Sequence, residues 1–173
     1  MKGITEIEFI ISVFVFITTI SFVTIIIINN IPFFHNTALG NNLKTKSWQY
    51  SEMLLFDEGY PNDWNAKQFS EIRRIGLSSS RYFVDINKLS KLSVFCSDPN
   101  VGYKSVKNLL GIDFTNDIVI EASYLDDSPI VGSKMICGPS VITQLRPQFQ
   151  TIRLGILNSS DMPIIRIRTV VIG

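Results

Sequence analysis

Residues Phe9 to Ile28 form a run of 20 amino acids without a single charge. As an α-helix such a run rises about 30 Å, the thickness of a bilayer's hydrocarbon core. Neither Gly nor Pro interrupts it. Its polar members, Ser12, Thr18, Thr19, Ser21 and Thr24, are all of the kind that bonds back to a helix carbonyl. Its many β-branched residues favour strand in water. In lipid each backbone group must bond within its own segment, so helix wins. The run therefore predicts a transmembrane helix. A secretory signal has a shorter apolar stretch, of about 7–15 residues, and a small-residue cleavage site after it. Here the run is longer and is followed by Asn29, Asn30, Ile31 and Pro32, which predicts an anchor that stays on the protein.

What remains of the 173 residues is enough for one modest domain with its own core. The net charge of +1, from 16 basic and 15 acidic residues, gives no case for nucleic-acid binding. Lys2 precedes the span and the next basic residue is Lys44. Positive-inside bias then places the N-terminus in the cytoplasm and the bulk of the chain outside. Two cysteines, Cys96 and Cys137, suit an oxidising exterior as a disulfide, or stand as two buried thiols. Asn158-Ser159-Ser160 fits an N-glycosylation acceptor, a triplet that also arises by chance.

Two carboxylates, Glu6 and Glu8, stand at the mouth of the span. Headgroups and the positive end of the helix dipole accommodate acids there. The spacing offers a second reading. Lys2 and Gly3 come first. Counted from Ile4, Glu8 is the fifth residue and Phe9 the sixth. Lys2, Gly3, Thr5, Glu8 and Phe9 together resemble the class III signal peptide of archaeal type IV pilin-like proteins. That resemblance implies a leader ending in Gly3, removed by a membrane-embedded prepilin peptidase on the cytoplasmic side. Family members often begin with Gln and carry Ser third, where this chain has Ile4 and Glu6. In a filament the Glu8 carboxylate would pair with the ammonium of a neighbouring Ile4 and fix the register of otherwise featureless apolar helices. Uncut, Ile4 carries no ammonium.

Beyond the span, Pro32 in "NNIPFFHN" predicts a kink or break, since it removes one helix bond and crowds the turn before it. Phe33 and Phe34 suit the membrane interface. His35, the lone histidine, reads as a surface residue rather than a ligand. Leu39, Leu43, Ser47, Tyr50 and Leu54 recur at three- and four-residue steps and predict a second helical stretch over 37–56. "DEGYPNDW", 57–64, is a turn with Trp64 as its plug; Asp57, Glu58 and Asp63 lack the alternate-oxygen pattern of a calcium loop. This stretch, with "IGL" at 75–77 and "NKLSKL" at 87–92, loosely resembles the soluble domains of the same family. Residues 87–95 and 101–110 read as amphipathic helices with Lys88, Lys91, Lys104 and Lys107 on solvated faces. Segments 117–125, 149–158 and 163–173 alternate as strands, and 128–137 is a less regular fourth. Arg166 and Arg168 fall on one solvated sheet face.

The expected architecture is α+β: a long N-terminal transmembrane and stalk helix with a head of short helices and an antiparallel sheet. In residues this gives a leader over 1–3, an assembly helix over 4–31, a stalk over 32–58 and an extracellular head over 59–173. No phosphate loop, nucleophile elbow or metal-ligand spacing points to an enzyme, a metal or another cofactor. The resemblance implies a major or minor subunit of a surface filament, polymerising with itself or other pilins. It further implies the peptidase, an assembly ATPase, a membrane platform protein and the bilayer as partners. The other reading is a single-span anchored surface module, binding or adhesive, that never polymerises.

Overall fold

A computed structural model describes residues 2–140 and 146–173, with side chains at 7–31, 37–140 and 146–173. The expectations for the side chains of Lys2, Ile4, Thr5, Glu6, Phe33, Phe34 and His35 lie outside this set. Helix α1 spans Lys2–Phe56. It covers both predicted helical stretches and is continuous through Pro32, so of the kink or break expected there the break does not occur. The chain forms two compact units, Met1–Leu39 and Gly40–Gly173.

In the second unit, α1 contributes Leu43, Ser47, Ser51, Leu54 and Leu55 to the interior, all at most 1% exposed. Ser51 takes the inward place that the spacing gave to Tyr50. Small side chains let the helix sit close to the sheet. The Ser47 hydroxyl donates to Thr151 Oγ1 at 2.8 Å, with the Thr169 carbonyl 3.2 Å away. Gly155 faces Leu55, where even a Cβ would stand 3.0 Å from the Leu55 methyl.

The sheet has six strands in the order β1-β2-β5-β6-β3-β4. The strands are β1 Ser78–Ser80, β2 Phe83–Val84, β3 Asp117–Tyr124, β4 Met135–Cys137, β5 Gln148–Leu157 and β6 Ile164–Ile172. The long central strands β5, β6 and β3 pair antiparallel, with Thr151 opposite Thr169 and Ile120 opposite Thr169 on the other side. The sheet is nevertheless mixed, because β2 pairs with β5 in parallel through Phe83–Ile156 and Val84–Leu157. The serine run supplies β1, which no alternation signalled. Of the irregular 128–137 segment only Met135–Cys137 is a strand. Period-2 alternation sends Ile165, Ile167, Thr169, Ile118, Ile120 and Ala122 inward. Val119, Val170 and Ile172, on the opposite face, make a small second cluster.

Helix α2, Ile86–Ser97, starts where Asp85 caps it by accepting the Asn87 N–H at 2.8 Å. Leu89, Leu92 and Phe95 are its buried residues of the predicted kind. Helix α3 spans Gly102–Leu109 and ends at Gly111, whose φ of 70° suits a residue without a Cβ. Trp64 is fully buried, donates Nε1–H to the Gly76 carbonyl at 2.9 Å and stacks on Phe95. The turn around it is tight: a Cβ on Gly76 would meet the Asp57 carbonyl at 2.1 Å. The acids of this turn face cations, Asp57 to Arg74 at 2.7 Å and Asp63 to Lys67 at 3.3 Å.

The lysine assignments need correction. Lys91 and Lys104 are at least part exposed, but Lys88 and Lys107 are 4% and 7% exposed. Lys88 Nζ donates to the carbonyls of Glu58 and Ser78 at 2.7 and 2.8 Å, tying α2 to the 57–64 turn and to β1. Lys107 donates to Asp117 and to the Phe114 carbonyl, both at 3.1 Å. Asp117 also takes Arg146 at 2.7 Å and the Tyr103 hydroxyl at 3.1 Å. Each buried ammonium is thus bonded, as burial requires. The arginines of β6 are likewise part-buried and paired, Arg166 with Asp127 and Arg168 with Glu121 and Gln150.

Candidate functional site

The first unit is one helix. Residues Ile7–Ile31 are 25 long, contain an 18-residue stretch with a mean hydropathy of 2.7 and are exposed throughout. The helix is long and apolar enough to span a membrane. Its described side chains are exposed, unlike those of a buried core helix, and so broad an apolar surface suits a lipid or protein surrounding better than water. Phe9, Ile10, Phe14, Phe16 and Phe22 are each more than 60% exposed.

Three of the five hydroxyls inside the span, those of the threonines, are satisfied locally. The hydroxyls of Thr18, Thr19 and Thr24 donate to the carbonyls of Phe14, Val15 and Ile20, each at 2.8 Å. This is the back-bonding that the composition of the run predicts. Asn30 was overlooked in that reading: its Nδ2 donates to the Ile26 carbonyl at 2.7 Å, so it extends the span rather than ending it. The signal was present in the sequence, since Asn reaches one turn back as Thr does.

Glu8 lies on the second turn of α1 and its side chain is exposed. Phe9 beside it is 69% exposed. The backbone of Gly3 and Ile4 is already helical. Glu8 is four positions on from Ile4, a rise of about 6 Å on the same helix face. The residues expected to govern cleavage and register therefore fall within two turns at the edge of a span that is otherwise uncharged as far as Ile31.

The other two expected sites lie in the second unit. Cys96, near the end of α2, and Cys137, in β4, form a disulfide with Cα atoms 5.4 Å apart, so the alternative of two free thiols falls. Asn158 is exposed just after β5, with its Nδ2 3.3 Å from Ser79 Oγ. Among the described residues no three His, Cys, Asp or Glu side chains gather as a metal site would need. No family model, no curated protein and no solved structure matches the chain.

Proposed function

We propose that this chain is a structural subunit of a type IV pilin-like surface filament, cut after Gly3 and assembled through α1. The observation that carries the reading is Glu8: an exposed carboxylate at the start of a wholly exposed apolar helix. Lipid and neighbouring helices both cover apolar side chains equally well. Neither covers a carboxylate without a partner. A cut after Gly3 would create one, the ammonium of Ile4. In a dry bundle the loss of one member of such a pair costs about 3–5 kcal/mol, a factor of roughly a hundred to several thousand in association. That is enough to select one axial register among helices whose other side chains are interchangeable.

The domain that α1 carries is closed by a disulfide, in keeping with an extracytoplasmic location. The filament role further calls for a prepilin peptidase, an assembly ATPase and a platform protein.

The mass of the mature N-terminus tests the proposal. A chain beginning at Ile4 supports it, and a chain still beginning at Met1 leaves only an anchored module. Glu8→Ala is the second arm. Membrane insertion should persist, since the span only gains apolar character, while filaments should disappear from the cell surface. Normal filaments in Glu8→Ala would refute the register role.

A further inference from the structure

The β5–β6 connection carries the one Asn-x-Ser/Thr triplet in the sequence, Asn158-Ser159-Ser160. We infer that Asn158 is a glycan acceptor, modified on Nδ2 once the second unit lies outside the membrane. This rests on the outward orientation in the proposed function. Three features of the connection support it.

The first is access. Asn158 and Ser160, the acceptor and the hydroxyl two residues on, are both exposed, as are Asp161 and Met162 after them. The acceptor stands where the chain leaves the sheet, so an attached sugar displaces nothing from the core.

The second is that the fold does not need the acceptor's amide. The connection is held by main-chain bonds. Leu157 N–H donates to the Pro163 carbonyl at 2.9 Å, closing the turn. Asn158 N–H donates to the Val84 carbonyl at 2.8 Å, and Met162 N–H to the Ser159 carbonyl at 3.2 Å. The side chain makes one long contact, 3.3 Å to Ser79 Oγ.

The third is compatibility with the product. In the transfer, Nδ2 forms a bond to the anomeric carbon of a lipid-linked glycosyl phosphate. The bond from that carbon to the phosphate oxygen breaks, the phosphate leaves with the electron pair, and Nδ2 gives up one proton. A glycosylated amide keeps one N–H, so Nδ2 remains a donor after modification.

The experiment isolates the full-length protein from the membranes of its own cells and maps its tryptic peptides by mass. The peptide from Leu154 to Arg166 should carry an added mass that fragments as sugar. That mass should be lost in Asn158→Gln and in Ser160→Ala and kept in Ser159→Ala. An unmodified peptide overturns the inference if protease added to intact cells still removes the second unit. An unmodified peptide on a protein whose second unit is shielded in intact cells, with Cys96 and Cys137 reduced, overturns the outward orientation and this site with it. A sugar that survives Asn158→Gln also refutes the assignment.

Discussion

Reducing the Cys96–Cys137 bridge gives the sharpest energetic expectation for the folded domain. The two cysteines are 41 residues apart in sequence. For a loop of that length the chain-entropy model gives about 13 cal/mol/K of lost freedom in the unfolded chain, about 4 kcal/mol at 25 °C. With a urea slope of about 2 kcal/mol/M, the unfolding midpoint should fall by about 2 M on reduction. Reduction is a cleaner perturbation than substitution, because Cys137 is 2% exposed and its truncation would add a cavity penalty. The assay is urea unfolding of the full chain in detergent micelles, with and without dithiothreitol, followed by tryptophan fluorescence. Trp64 is fully buried and hydrogen-bonded, whereas Trp48 is 47% exposed, so the signal is dominated by Trp64 leaving its pocket. The slope should rise on reduction, since an uncrosslinked unfolded chain exposes more surface. Midpoints that agree to within about 0.3 M, a difference worth well under 1 kcal/mol, would refute the reasoning. They would mean that the 96–137 segment is already constrained when unfolded, or that strain in the native bridge cancels the gain.

Three further substitutions test the polar interior, with a fourth on an exposed lysine as control. Lys88→Met leaves the Glu58 and Ser78 carbonyls without their donor and should destabilise the domain by about 1–3 kcal/mol. Lys104→Met, on an exposed residue, should change the urea midpoint little. Thr169→Val removes a buried hydroxyl that has no partner among the described residues and should raise stability by about 1 kcal/mol or leave it unchanged; a clear loss of midpoint would show that the hydroxyl is bonded. Asp117 governs the acid limb. Burial, the largest single influence, raises its pKa, but Arg146 and Lys107 together with Tyr103 outweigh it and hold the carboxyl below the usual range. A depressed folded pKa means stability that is complete above the unfolded value, about 3.9, and is lost as pH falls through the folded one. Acid titration of the fluorescence should therefore show loss below about pH 4, and Asp117→Asn should flatten that limb.

The central architecture was legible because its signals are periodic. A helix face repeating at Leu43, Ser47 and Leu54 and strands alternating through 117–125, 149–158 and 163–173 need only local rules, and these elements formed. The missed features depend on distant partners. Strand β1 exists because Ser78–Ser80 lies beside Phe83–Val84, which β5 in turn recruits in parallel. Polar Lys88 and Lys107 are helix-surface residues by composition. They are buried because carbonyls of residues 58, 78 and 114 and the carboxylate of Asp117 arrive from elsewhere in the chain. Helical periodicity places a lysine on a face. It cannot say that the face will meet acceptors.

The proposed N-terminal site can be read from the sequence for the opposite reason: the proposal asks for no partner from elsewhere in the fold. Its content is a spacing along one helix, Gly3 to Glu8, and a run of apolar residues. The exposed span fits a bilayer and a bundle of identical helices equally well, because Ile, Val and Phe gain as much from either. Glu8 breaks that equivalence. At the headgroup level water and lipid amines screen it. Under the proposed function, Glu8 drawn into a bundle needs a fixed cation, and a cut after Gly3 would supply one at the same depth in every copy, the ammonium of Ile4. Within one helix that terminus would lie about one turn from Glu8, close enough to pair before assembly. In the proposed filament a neighbour would therefore compete with this internal partner, and the favoured register would be one that brings each Glu8 to a neighbour's terminus as well as its own.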